Sequence, residues 1–147
     1  MRIVGAGLLL ALGAIQLVPY GPYDLPAPRA EPAWDSQRTR ELTVRACYDC
    51  HSNEVVWPWY SRIAPVSWLV RRDVDLGRAE LNFSEPGGEA EDAAESVSEG
   101  EMPPALYTLV QGKARLTTAE VRDLVTGLTA TFGGEGDGRR DGDEDDD

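Results

Sequence analysis

Side chains that bind transition metals through nitrogen or sulfur are scarce in this chain. There are two cysteines, one histidine and two methionines, one of these at position 1, among 147 residues. This scarcity excludes several chemistries. A closed structural zinc site takes four ligands, usually two cysteine pairs or one pair with two histidines, and this chain cannot complete either set. A thioredoxin-like redox pair belongs in a βαβ setting, and no stretch here alternates with the two-residue period of a strand. Positive charge is short as well: the net charge is −12 and Lys113 is the single lysine. Nucleic acid is therefore excluded as a partner, because its phosphates would be repelled. No internal repeat is visible.

The charge is unevenly placed. From Gly133 to Asp147 eight acids stand against Arg139 and Arg140, so this tail carries half of the net charge. It is rich in glycine, has nothing to bury, and is expected to be disordered. At the other end, Ile3 to Val18 is an uncharged apolar run behind Arg2. With Tyr20 and Tyr23 in the headgroup region, residues 1–23 read as a signal anchor or transmembrane segment. A cleaved signal peptide is the competing reading, disfavoured because no small-x-small site follows at the usual distance. Either way the remaining chain lies outside the cytoplasm, facing the periplasm or the cell exterior. Five prolines between Pro19 and Pro32 make residues 24–35 a stiff, extended linker.

Residues 36–132 are expected to fold as one all-α domain. Ser36 is placed to cap a helix over QRTRELTVRAC that ends at the cysteine pair. Pro65 opens a second helix to about Leu81, with Val66, Leu69, Val70, Val74 and Leu76 as its inner face and Trp68 in the core. Ser84 to Glu91 reads as a loop and Glu91 to Ser98 as a short helix. Thr117 and Glu120 have capping-box spacing ahead of Val121, Leu124, Val125 and Leu128, which recur with helical period.

Cys47-Tyr48-Asp49-Cys50-His51 is a CxxCH motif, the attachment signature of haem c. On one turn of backbone two thiols reach the two vinyl groups of a haem, and the adjacent imidazole supplies a nitrogen ligand to iron. A small disulfide loop is the alternative use of the cysteines, and it would stabilise little. Met102, in GEMPP, is the candidate second ligand. A thioether is a soft donor, and two following prolines stiffen its loop. Against ligation stand a role as flexible core filler, a vacant or water-bound sixth position, and Lys113 as a substitute ligand. Trp57, Trp59 and Tyr60 are candidates to wall the haem edge, and Arg62, or the polar groups of these aromatics, to bind its propionates. Asn53 reads as a turn residue.

The stretch CYDCHSNEVVWPWYSRIAPVSWLVRRDVDLGRAELNFSE, followed by GEMPP and a terminal helix, resembles the bacterial haem-binding domain family. The likeness runs from about Glu31 to Phe132. It implies a small cytochrome c-like helical fold around one covalent haem, with Cys47 and Cys50 attached, His51 proximal and Met102 distal. The acidic tail and the glycine-rich loop after Ser84 depart from the family pattern.

The expected function is electron transfer outside the cytoplasm by a single-haem c-type cytochrome. Its partners would be redox proteins at the membrane, to which the N-terminal segment ties it. The rival is a haem-based sensor whose sixth iron position is labile. An enzyme is disfavoured because His51 is committed to iron and no second histidine remains for acid–base work.

Overall fold

The computed structural model describes residues 2–18, 20–86, 90 and 92–133, and its regular elements are all helical. They are α1 (Arg2–Ile15), α2 (Gln37–Ala46), α3 (Tyr48–His51), α4 (Val66–Glu80), α5 (Ala93–Ser98), α6 (Ala105–Val110) and α7 (Thr118–Phe132). Two 3₁₀ turns, Trp59–Arg62 and Gly112–Ala114, complete the set. Apart from Gly133, the acidic tail lies outside the described residues, as do parts of the loop after Ser84.

Helix boundaries follow the caps. The Ser36 hydroxyl accepts from the Thr39 N–H at 3.1 Å and starts α2. At α7 the capping box is complete: Thr117 accepts from the Glu120 N–H, and the Glu120 carboxylate accepts from the Thr117 N–H at 2.8 Å. That backbone bond, with help from Arg45 at 2.7 Å, holds the Glu120 carboxyl down at about 2. Because Arg45 lies on α2, the cap also ties the two helices together.

The core has two joined parts. Leu42, Val97, Leu124 and Leu128 bring α2, α5 and α7 together. Tyr48, Phe83 and Ala90 form the second part, next to the cysteine motif. Trp34 and Phe132 pack against both, and Trp34, Phe83, Phe132 and Tyr48 make a run of ring contacts at 5.5–6.2 Å. The α2–α7 crossing is close: a Cβ built on Gly127 would stand 2.0 Å from Thr39 Oγ1.

Three expectations change here. First, α4 does not bury the face read from its apolar residues. Val74 is buried and Val70 half-buried, but Val66, Leu69 and Leu76 are 42 %, 59 % and 48 % exposed. Its buried residues are instead Ser67, Arg71 and Val74. Polar Ser67 and Arg71 take the inner face because Arg71 donates to the Pro22 carbonyl and lies over the Trp57 ring at 5.6 Å. Second, α1 ends at Ile15. Fourteen residues rise about 21 Å, against roughly 30 Å of hydrocarbon in a bilayer, and no described helix is long and apolar enough to cross a membrane. Third, the proline-rich stretch is extended but lies along the domain. Arg29 and Ala30 donate N–H bonds to Ser84 O, and Glu31 accepts from Trp34 Nε1, Tyr48 Oη and Arg40. Ahead of it, the Gln16 amide both donates to and accepts from the backbone of Ala64.

Gly127→Ala should destabilise the protein. Alanine is the better helix former by about 1 kcal/mol, but overpacking against Thr39 costs about 1–3 kcal/mol, so the clash should prevail. Thermal denaturation should show a lower midpoint, and Thr39→Ala in the same chain should recover part of the loss.

Candidate functional site

Cys47 closes α2 and opens α3. Its N–H donates to Thr43 O at 2.8 Å, and its own carbonyl accepts from the N–H groups of Cys50 (3.0 Å) and His51 (2.9 Å). That single turn puts positions i, i+3 and i+4 on one face, so two thiols and an imidazole leave the backbone together. Both thiols are free. Burial pushes Cys47 up to about 12, with Cys50 adding to it, and Cys50 up to about 11, with Asp49 and Asp73 adding. At neutral pH neither is the thiolate that a redox or nucleophilic cysteine requires.

His51 is held at ring and backbone by the segment that leaves α4. Nδ1 stands 3.1 Å from Leu81 O. A carbonyl only accepts, so Nδ1 carries the proton and Nε2 keeps its lone pair for a ligand. Burial lowers the pKa of the ring against the pull of backbone bonds to Leu81 and Gly77, which favours the neutral imidazole. The His51 carbonyl accepts from Phe83 N at 2.8 Å, and the Phe83 ring lies 6.5 Å from the imidazole. Gly77 brings α4 near enough for this: a Cβ there would sit 2.6 Å from the Cys50 carbonyl oxygen.

Asn53, read as a turn residue, is the hub that fixes this segment. Its Oδ1 accepts from Arg78 Nε (3.0 Å), Arg78 Nη2 (2.6 Å) and Asn82 Nδ2 (2.9 Å). Its Nδ2 donates to Glu85 at 3.1 Å, and its N–H to Ser84 Oγ at 2.9 Å. Asp49 is a second hub that sequence reasoning missed. Its carboxylate accepts from Val56 N and from Tyr107 Oη at 2.7 Å, and pairs with Lys113 at 2.6 Å. Lys113, weighed above as a substitute iron ligand, is thus engaged elsewhere.

The other expected site residues are distributed as follows. Met102 is 38 % exposed and belongs to neither core cluster, so it is not a core filler. It lies between α5 and α6, with its N–H and that of Glu101 donating to Ser96 O. Trp57 packs edge-on against Tyr23 at 5.0 Å and spends its indole N–H on the Tyr23 carbonyl. That proton is therefore not free for a propionate. Trp59 is 77 % exposed and meets Tyr60 edge-on. The Tyr60 hydroxyl accepts from Gln111 Nε2, which leaves its proton available. Arg62 lies 5.0 Å over the Tyr23 ring and forms no ion pair among the described residues. Trp68 is half-buried, its indole 3.4 Å from Val18 O.

The donor set fits haem iron: two free thiols and a fixed Nε2 lone pair leave one helical turn. The surrounding elements also present uncovered apolar side chains, Trp59, Ile63, Val66, Leu69, Leu106 and Leu109. Among the described residues no three His, Cys, Asp or Glu side chains gather in one place. A shallow hollow of about 210 Å³ lies beside α2 and α3, lined by Arg40, Tyr48, Asp49, Glu54 and Lys113 among others. Two of its charged residues are paired, Lys113 with Asp49 and Arg40 with Glu31.

A family model described as a haem-binding domain matches residues 10–130. No curated protein and no solved structure matches the chain.

Asn53→Ala removes the acceptor from the Arg78 guanidinium. Hydrogen bonds to charged groups contribute about 1.5–3 kcal/mol, so denaturant unfolding should show a loss of that order. Gln37→Ala, at an exposed position of α2, should stay within about 0.5 kcal/mol of the parent protein.

Proposed function

The chain belongs to the haem-binding domain family, and on that premise we propose that it is a single-haem c-type cytochrome transferring electrons outside the cytoplasm. One observation carries the reading: Cys47, Cys50 and His51 share a helical turn, and Leu81 holds the imidazole in the tautomer a metal ligand needs. Haem binding follows from the family; covalent attachment at both thiols and electron transfer are the proposal. Cys47 and Cys50 would hold the haem through thioethers, and His51 Nε2 and Met102 would hold its iron. A bound haem supplies one-electron chemistry at iron, with a potential raised by a thioether ligand. The chain's own part would be to hold the iron through His51 and Met102 and to pack apolar side chains, Trp59 and its neighbours among them, against the bound group. Tyr60 and Arg62 are assigned to the propionates, since each keeps a donor available. Trp57 acts one step back, holding the N-terminal strap through Tyr23.

No substrate is converted in this reading, because the single histidine is committed to iron. Redox proteins at a membrane are the proposed partners. The proposed tether is the apolar N-terminal segment, whose Leu8, Leu9, Leu10 and Leu17 are uncovered. With residues 22–31 lying along the domain, the tether would hold the site near the membrane surface and give it little reach.

A second reading has one observation in its favour. Met102 is 38 % exposed on a loop, as suits a ligand that leaves and admits a small molecule such as carbon monoxide. The domain would then be a haem-based sensor.

After expression with haem-maturation machinery, intact mass should exceed that of the polypeptide by one haem, and Cys47→Ser/Cys50→Ser should abolish the increment. An unmodified mass for the parent protein would overturn covalent attachment. The oxidised spectrum should contain a sulfur-to-iron charge-transfer band, which Met102→Ala removes. An unchanged spectrum in that variant would take Met102 out of the site.

A further inference from the structure

The segment that follows Met102 is held to the domain in an unusual way. Helix α6 buries no residue, and Leu106, Leu109 and Val110 are 74 %, 71 % and 55 % exposed. Apolar packing resumes only at Ala114, which is fully buried in the second 3₁₀ turn beside α2. Between Pro103 and Lys113 the side-chain bonds to the rest of the described protein come from three residues. Tyr107 Oη donates to Asp49 Oδ2 at 2.7 Å, Lys113 Nζ pairs with the same oxygen at 2.6 Å, and Gln111 Nε2 donates to Tyr60 Oη at 2.8 Å. Two of the three converge on Asp49, which lies between the two cysteines on α3. Burial, and then the neighbouring carboxylate, raise the Tyr107 pKa, so this hydroxyl remains a donor.

We infer that Asp49 is a positioning residue: its carboxylate latches the arm bearing Met102 to the turn bearing His51. The inference rests on Met102 being the distal ligand, as proposed above. The two proposed ligands stand 51 residues apart in sequence. Met102 is held on its N-terminal side by Ser96 of α5, which shares the core with α2 and the motif, and on its C-terminal side by the arm. Asp49 joins them directly, because one of its bonded partners, Val56, lies on the motif side and two lie on the arm. Loosening the latch frees the arm that follows Met102, so that Met102 would be held from α5 alone and would leave iron more readily, while α2 and α7 keep their own packing.

The test uses reduced holoprotein carrying Tyr107→Phe, which removes one hydroxyl, or Asp49→Asn, which removes the charge. Carbon monoxide capture should speed up by about tenfold or more; tenfold corresponds to about 1.4 kcal/mol, within reach of a hydrogen bond to a charged group. Amide hydrogen exchange should rise over residues 105–114 and stay unchanged in α2 and α7. Parent-like capture together with parent-like exchange over 105–114 in both variants would overturn the latch. So would an exchange rise spread equally over α2 and α7, since Asp49 would then serve stability at large. If the parent protein lacks the sulfur-to-iron band, it is Met102 ligation that fails, and exchange over 105–114 alone decides whether Asp49 latches the arm.

Discussion

The hydrogen bond from His51 Nδ1 to the Leu81 carbonyl is the constraint around which the rest of this small fold is arranged. It makes one imidazole tautomer, and hence one metal-binding nitrogen, the stable one. The bond spans 30 residues, so it exists only if the end of α4 is brought to α3. Gly77 permits that approach, because any larger residue would meet the Cys50 carbonyl. Asn53 then fixes the segment beyond Leu81 through Arg78, Asn82 and Ser84. Phe83 closes the arrangement by joining the His51 backbone to the aromatic core.

Two kinds of attachment coexist in the molecule. The scaffold of α2, α5 and α7 is held by apolar burial and a close Gly127–Thr39 crossing. The segments around the motif add polar contacts at Asn53, Asp49 and Gln16 to the Tyr48–Phe83 cluster, while Trp59, Ile63, Val66, Leu69, Leu106 and Leu109 stay exposed. Such a division suits a domain that binds a large apolar cofactor. The exposed apolar side chains are surface that burial against a cofactor would stabilise.

Much of this was legible in the sequence. Ser36, Thr117 and Glu120 announce their helices because capping chemistry is local. CxxCH reveals its site for the same reason, since all three groups lie on one turn. The α4 face was misread because apolar residues at helical spacing do not tell which side meets the rest of the protein, and only tertiary contact reveals Arg71 as an inner residue. Asn53 and Asp49 were invisible as hubs because all their partners but Val56 stand 25 to 64 residues away. No periodicity encodes such pairings. The apolar start of the chain showed helix correctly, but not its stop at Ile15 or the bonds of Gln16 to the Ala64 backbone, 48 residues away.

Nitrogen-15 NMR of the histidine ring in reduced holoprotein probes the central arrangement most directly. The expected result is a protonated, hydrogen-bonded Nδ1 with Nε2 bound to iron. A ring that binds iron through Nδ1, or that carries protons on both nitrogens, would contradict it.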